Sequence, residues 1–288
     1  MPIRSLFTNL SAAFSDIYSG WILWNLFLAF IPLMLSFFLF RAKTLSQPWL
    51  WGFCALVGFT GVVGFRSRLP NLMLDQIGLL SAVAAGDRSA QLKILWLMAL
   101  IVLSSVLSFW LLKRESSLRT WLWWLGFVVF IAFLPNAPYL LTDIIHLIRG
   151  TSSGEIPTWV VALVFIPIHV MAILLGFEAY VLSLLNQGYY LKQKGVKQYI
   201  LLAELLVHAL SAIGIYLGRF IRLNSWDLVT DPSNVLLTTL NTLTAKRPVL
   251  VIVVTFIILT VFYWLMKQIT LGLKLRIQYA RLGIDALD

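Results

Sequence analysis

Residues 158–185 read TWVVALVFIPIHVMAILLGFEAYVLSLL, with a single charged residue, Glu178, in the whole stretch. A helix needs about 20 apolar residues to cross the hydrocarbon of a bilayer, and lipid offers no hydrogen-bond partners to a non-helical backbone. The stretch therefore predicts a transmembrane helix. The whole chain agrees, since 60% of its 288 residues are hydrophobic and 12% are charged, against about 25% charged in a soluble domain.

Six other apolar stretches complete a set of seven predicted spans. The spans are 21–40, 49–65, 94–112, 121–141, 158–185, 199–218 and 249–266. The second is short and rich in glycine, which favours close helix packing, and the count falls to six if 49–65 does not cross. An Asp-Pro pair at 231–232 signals a helix start and predicts a surface helix near 232–243. The sequence thus predicts an all-α, polytopic transmembrane helical bundle, formed as a single domain by residues 1–288.

The basic residues, which give a net charge of +10, lie between the apolar stretches. Basic residues beside spans are attracted to anionic lipid, so the lipid bilayer is the expected partner and nucleic acid is not. Two short connections carry only basic charges, Arg41 and Lys43 in one and Lys192, Lys194 and Lys197 in the other. Because short basic loops stay in the cytoplasm, the C-terminus is predicted to be cytoplasmic and the N-terminus outside. Nothing in the sequence indicates an oligomeric state.

The fourth predicted span ends in an unusual stretch, FLPNAPYLLTDIIHL, at residues 133–147. Its two prolines lack a backbone donor and disfavour helix in the residue before each of them, so the span is predicted to kink or break. Thr142 is a candidate cap for the helix that follows. Asp143 and His146, three apart, are placed on one helix face and are candidate acid–base residues. The alternative is a re-entrant turn whose polar residues face lipid headgroups.

A second unusual stretch, GIYLGRFIRLNSWD, occupies residues 214–227, where the sixth predicted span ends. Arg219 and Arg222, three apart, are predicted to share a helix face. Their forked guanidinium groups suit a phosphate or a carboxylate. Asp227 is a further candidate catalytic residue, or else the partner that neutralises one of the arginines.

Four ionisable residues lie within the predicted spans, and we call them the intramembrane seam: His169, Glu178, Glu204 and His208. Glu204 and His208, four apart, share a helix face. If the fifth and sixth spans form an antiparallel hairpin, Glu178 lies level with Glu204, and His169 with His208. A charge in hydrocarbon costs upwards of about 2.5 kcal/mol, so these residues are expected to face the bundle interior. They form either a proton path or a hydrogen-bonded seam with protonated glutamates.

Asp143, His146, Glu204 and His208 are residue types that bind zinc or iron. Their spacing matches no metal motif, however, and Glu204 is expected far from Asp143, so no metal site is expected. The single cysteine, Cys54, excludes a disulfide within the chain and any Cys-rich motif. The chain also lacks a phosphate-binding Gly-Lys-Ser/Thr loop and a dinucleotide fingerprint, so no cofactor is predicted.

The segments 24–32 (WNLFLAFIP), 133–147 and 217–227 (LGRFIRLNSWD) resemble an uncharacterised bacterial membrane family, the domain of unknown function 1361. The resemblance covers about 21–40 and 121–270 and marks 41–115 as two added spans. It implies a multi-span protein of the bacterial cytoplasmic membrane and supplies no reaction, substrate or cofactor. Besides Asp143, His146, Asp227 and the two arginines, it singles out candidate ligand-binding side chains: Asn136, Tyr139, Thr142, Asn224 and Trp226.

The residues leave three functions open. The first is a site on the outer face that binds or acts on an anionic lipid headgroup or a lipid-linked envelope molecule, with Arg219 and Arg222 holding the anion. Whether such a site is an enzyme does not follow from the sequence. The second is a structural or accessory role, in which a contact of Asp143 with either arginine ties helix ends together. The third is proton-coupled transport along the intramembrane seam.

Overall fold

The computed structural model describes residues 21–41, 45–112, 119–151, 157–223 and 232–283, and within these ranges every regular element is helical. The helices are α1 (Trp21–Phe40), α2 (Gln47–Phe65), α3 (Leu69–Ala84), α4 (Arg88–Leu112), α5 (Arg119–Phe133), α6 (Asn136–Tyr139), α7 (Ile144–Thr151), α8 (Thr158–Gln193), α9 (Lys197–Ile221), α10 (Pro232–Thr244) and α11 (Lys246–Arg281). The predicted all-α polytopic bundle is confirmed.

Six helical segments of the described chain are long and apolar enough to cross a membrane. They are α1, α2, the segment Trp121–Ile148, α8, α9 and α11. The third predicted span, 94–112, lies within α4, a helix of 25 residues. The predicted surface helix near 232–243 is α10, which begins at Pro232, where a proline costs no helical hydrogen bond.

The fourth predicted span is broken, as its two prolines indicated. Helix α5 ends at Phe133, and two turn residues lead into the short α6, a 3₁₀ turn at Leu140–Asp143 and then α7. The break frees helical carbonyls, because a proline has no N–H to donate. The Asn136 side-chain amide donates to the Phe133 carbonyl at 2.9 Å, which provides one freed carbonyl with a partner.

Helix α1 lies at the centre of the bundle and packs against α2, α5, α6 and α8. Its Ala29 is fully buried, as are Phe130 of α5 and Tyr180 of α8. The contact with α2 depends on glycine, since a Cβ added at Gly64 would lie 2.4 Å from the backbone nitrogen of Trp24. The glycines of α2 therefore allow a close approach of the two helices, as the sequence predicted.

Helix α11 packs against both α8 and α9, and its contact with α9 is the more extensive. The simple hairpin of α8 and α9 is thus completed by a third helix, which supplies partners to polar side chains of both. Helix α11 has 36 residues and is about 54 Å long at 1.5 Å per residue. Since the hydrocarbon is about 30 Å thick, this helix extends well past the apolar layer.

Candidate functional site

Arg219 lies at the centre of a polar cluster that joins three helical segments. Its guanidinium donates to Asp143 Oδ1 at 2.5 Å, to Thr142 Oγ1 at 2.6 and 2.9 Å, and lies 3.1 Å from His146 Nε2. It also lies over the Tyr139 ring, 4.4 Å from the centroid. We call this set, together with Asn25, the Arg219 network, and the end of the bundle that holds it the Arg219 end.

Asp143 is 2% exposed, and both of its carboxylate oxygens have partners. Oδ1 accepts from Arg219, and Oδ2 accepts from the Asn25 side-chain amide at 2.7 Å. A buried charge is tolerated when it is paired and hydrogen-bonded, and both conditions hold here. Asp143 therefore links α9 to α1 through the broken fourth span, and its carboxylate is fully engaged.

Two expectations about this region are wrong. Thr142 does not cap α7; its hydroxyl donates to the Tyr139 carbonyl at 2.7 Å and accepts from Arg219. Arg219 and Arg222 do not share a helix face, because α9 ends in a π-helical turn, Leu217–Ile221, and Arg222 adopts a left-handed conformation with φ of 67°. Arg222 consequently leaves the helix and is exposed.

Part of the second motif lies outside the described residues. Asn224, Trp226 and Asp227 fall in the gap between 223 and 232. Their proposed roles in binding or catalysis stay predictions. Asn25 is the opposite case, because its residue type and position gave no sign of a role, although it lies in the first family-like segment. Its contact with Asp143 places it in the site.

A cavity of about 1430 Å³ lies beside the Arg219 network. The polar side chains that line it at the Arg219 end are Asn25, Arg68, Asn136, Tyr139 and His146. Arg68 ends the 3₁₀ turn Arg66–Arg68 that joins α2 to α3, and its guanidinium lies 5.2 Å from the Trp24 ring centroid. Arg68 is exposed overall, and the part of its side chain that the protein covers loses hydration, which lowers its pKa. A guanidinium stays charged in proteins, so an anion beside Arg68 would compensate part of its lost hydration.

The rest of the cavity lining is largely apolar, and part of it is open along the side of the bundle. Val62 of α2 is 71% exposed, Val128 of α5 is 62% exposed and Leu210 of α9 is 49% exposed, and all three line the cavity. These positions belong to segments that are apolar enough to span a membrane. We therefore expect an opening there to face hydrocarbon rather than water.

The two glutamates of the intramembrane seam bind α11. Glu204 Oε1 accepts from Tyr263 and from Lys267, each at 2.6 Å. Glu178 accepts from the Thr270 hydroxyl at 2.9 and 3.0 Å. Lys267 and Thr270 are three residues apart on one helix, so the two glutamates lie at similar depth, in line with the expected hairpin register.

The two histidines of the seam have different surroundings. His208 Nδ1 lies 2.7 Å from the Tyr180 hydroxyl, which also donates to Ser211 at 3.3 Å. His169 Nδ1 lies 2.9 Å from the Phe165 carbonyl within its own helix. The Tyr263 ring links Glu204 and His208, since its hydroxyl donates to Glu204 and its ring lies 4.7 Å from the His208 ring. His169 lies instead beside the Trp21 ring of α1, with 5.6 Å between the centroids. Among the described residues, no group of three His, Cys, Asp or Glu side chains is close enough to hold a metal ion.

Comparison with known proteins supplies a family and no relative of known activity. No curated protein and no solved structure matches the chain. A family model described as "Protein of unknown function (DUF1361)" matches residues 96–261, which is more than half of the chain. The match takes in most of 94–112 and leaves out 21–40, so the assignment of 21–40 to the family stays a prediction. The chain is thus a helical membrane protein that belongs to the DUF1361 family.

Proposed function

We propose that this protein binds an anionic amphiphile, either a phospholipid or a lipid-linked envelope molecule, in the cavity beside the Arg219 network. The observation that carries the proposal is the lining, which is polar and cationic at one end and apolar along the side that opens towards lipid. A ligand with an anionic headgroup and a hydrocarbon chain matches both parts. The site would lie at the outer face of a bacterial cytoplasmic membrane, with the N-terminus outside and the C-terminus in the cytoplasm.

The size of the cavity favours an amphiphile over a small soluble metabolite. Typical small-molecule sites occupy about 300–1,000 Å³ and bury most of the ligand, whereas this cavity measures about 1430 Å³. Its lateral opening at Val62, Val128 and Leu210 would expose a soluble ligand to hydrocarbon. A lipid chain avoids that cost, because it remains in an apolar medium on both sides.

Arg68 and His146 are the groups best placed to receive the headgroup, since both line the cavity. Arg219 has a different role in this proposal, because Asp143 and Thr142 already occupy its donors. Arg219 acts as a positioning residue. It fixes the broken fourth span, and with it Asn136 and Tyr139, as one wall of the cavity.

Filling the cavity provides the first test. Gly58 lines the cavity and has open space around the position of an added Cβ, and Gly52 on the same helix also has open space but does not line it. In phosphatidylcholine nanodiscs doped with phosphatidylglycerol, native mass spectrometry should show phosphatidylglycerol retained by the wild type and by Gly52→Trp. We expect Gly58→Trp to lose it. Equal retention by the two variants would refute the proposal.

A charge variant tests the headgroup end of the same site. Arg68→Gln should abolish the preference for phosphatidylglycerol over phosphatidylcholine, since the variant retains the cavity and loses the cation. Arg66→Gln is the matched control, because Arg66 lies two residues earlier, is exposed and does not line the cavity. If the Arg68→Gln variant still prefers phosphatidylglycerol, the headgroup does not bind at this end of the cavity.

A structural or accessory role is the second candidate, and one observation favours it. The Asp143–Arg219 contact is the helix-end tie that such a role requires. The cavity experiment separates the two functions. If the protein has only a structural role, Gly58→Trp should not change the retention of phosphatidylglycerol. Proton transport along the intramembrane seam has less support, since side chains of α11 hold both of its glutamates in hydrogen bonds.

A further inference from the structure

Helix α10, Pro232–Thr244, has three chemically distinct faces and no charged residue. At 100° per residue, four leucines form one continuous face. They are Leu236, Leu237, Leu240 and Leu243, and their side chains are 60%, 61%, 53% and 42% exposed. Packing among the residues that the structure describes leaves all four leucines exposed.

The second face of α10 lies against the bundle. Val235 and Thr242 are 8% and 6% exposed. Val235 and Thr239 also line the cavity. This face points about 130° away from the leucines at the same angular spacing, so the helix separates the cavity from whatever contacts its leucine face.

The third face of α10 is polar and lies between the other two. It carries Asn234, Thr238 and Asn241, and the Thr238 hydroxyl donates to Asn234 Oδ1 at 3.3 Å. A helix that presents separate faces to protein, to an apolar medium and to water fits one location, the boundary where all three meet. That boundary is the surface of a bilayer around a membrane protein.

The position of α10 in the chain agrees with this location. Ala245 alone separates it from α11, which is long and apolar enough to span a membrane. Helix α11 begins with Lys246 and Arg247, and basic residues at a span end lie at the level of the lipid headgroups. Helix α10 is therefore held at the edge of the hydrocarbon layer.

We propose that α10 lies in the membrane interface, with its leucine face inserted among the acyl chains of the leaflet at the Arg219 end, and forms the mouth of the cavity. Its partner is the lipid of that leaflet. Resting on the proposed function, this placement also specifies the route of the ligand. The amphiphile moves sideways from the leaflet past α10, and a ligand dissolved in water does not depend on this route.

Depth measurement tests the placement without any ligand. In a Cys54→Ser background, single nitroxide labels at positions 237 and 240 should collide with oxygen and avoid a water-soluble nickel chelate in phosphatidylcholine vesicles. Labels at 234 and 241 should show the opposite preference, and they are the matched controls because they lie on the same helix. All four chosen positions are exposed, so the labels do not disturb the core. Nickel accessibility at 237 and 240 equal to that at 234 and 241 would overturn the proposal.

A rate measurement tests the route. The double variant Leu237→Asn/Leu240→Asn should slow the capture of long-chain phosphatidylglycerol from vesicles several-fold, while the capture of a short-chain, water-soluble phosphatidylglycerol stays unchanged. Equal rates for wild type and variant with the long-chain lipid would overturn the route. This outcome is distinct from failure of the proposed function, which Gly58→Trp measures at equilibrium and without altering α10.

Discussion

The buried Asp143–Arg219 pair allows the loss in free energy of unfolding to be predicted for a variant that removes its carboxylate. In Asp143→Asn, the Arg219 guanidinium loses its carboxylate while its side chain remains only 13% exposed. Removing one partner of a buried ion pair costs about 3–5 kcal/mol, because the other charge is left uncompensated. Arg219 retains Thr142 and His146 as neighbours, so we expect a loss near the lower limit, about 3 kcal/mol.

The assay is unfolding in mixed micelles, with the free energy of unfolding obtained from a titration with sodium dodecyl sulfate. Asp75→Asn is the control, since it removes the same charge from an exposed position on α3; surface changes of this kind stay within about 0.5 kcal/mol. The double variant Asp143→Asn/Arg219→Gln should be more stable than the sum of its single variants predicts. A loss below about 1 kcal/mol in Asp143→Asn, the size typical of an exposed pair, would refute the assignment of a buried tie.

Two further predictions concern helix packing and the seam. Gly64→Ala should destabilise the protein by about 1–3 kcal/mol, because the added Cβ would meet the α1 backbone. Gly52→Ala, on the open side of the same helix, should be neutral or stabilising by up to about 1 kcal/mol. Equal effects of the two variants in the same titration would contradict the close packing of α1 on α2. Lys267→Met should cost about 1–3 kcal/mol by leaving Glu204 without its cation. Lys274→Met, about two turns along the same helix and exposed, should change the free energy of unfolding little, and equal losses in the two variants would count against the pair.

Much of the fold followed from the sequence because lipid imposes strict rules on the backbone. A run such as 158–185 favours a helix in hydrocarbon. Two prolines three residues apart, as in 133–147, remove two backbone donors and favour a break, whereas the single Pro32 lies within the continuous helix α1. The identity of neighbouring helices follows no such rule. The hairpin expected for α8 and α9 omitted α11, so Tyr263 and Lys267 were missed as partners of Glu204. Lys267 was hard to find for a further reason, since it lies immediately after the last residue of the predicted span 249–266.

The Arg219 network shows a similar limit at the scale of single residues. A contact of Asp143 with one of the two arginines was predicted, and the structure contains it with Arg219. Local backbone geometry determines which of the two arginines contacts Asp143. One π-helical turn and one left-handed residue direct Arg219 inward and Arg222 outward, and residue spacing in an ideal helix carries no information about either. Asn25 illustrates the same point across 118 positions of chain, a distance at which no periodicity applies.

The Asp143–Arg219 pair also affects where an anionic headgroup can bind in the cavity. If Arg219 bound an anionic headgroup directly, the ligand would have to displace Asp143 from a contact whose loss costs about 3–5 kcal/mol. Phosphate binding at Arg68 carries no such penalty, because within the described residues that guanidinium is in no salt bridge and contacts the Trp24 ring. The network therefore contributes most to binding by remaining intact, since it holds Asn136, Tyr139 and His146 along the polar end of the cavity. Asp143→Asn should therefore weaken phosphatidylglycerol binding only by loosening the polar wall of the cavity. Arg68→Gln should weaken binding with no loss of stability.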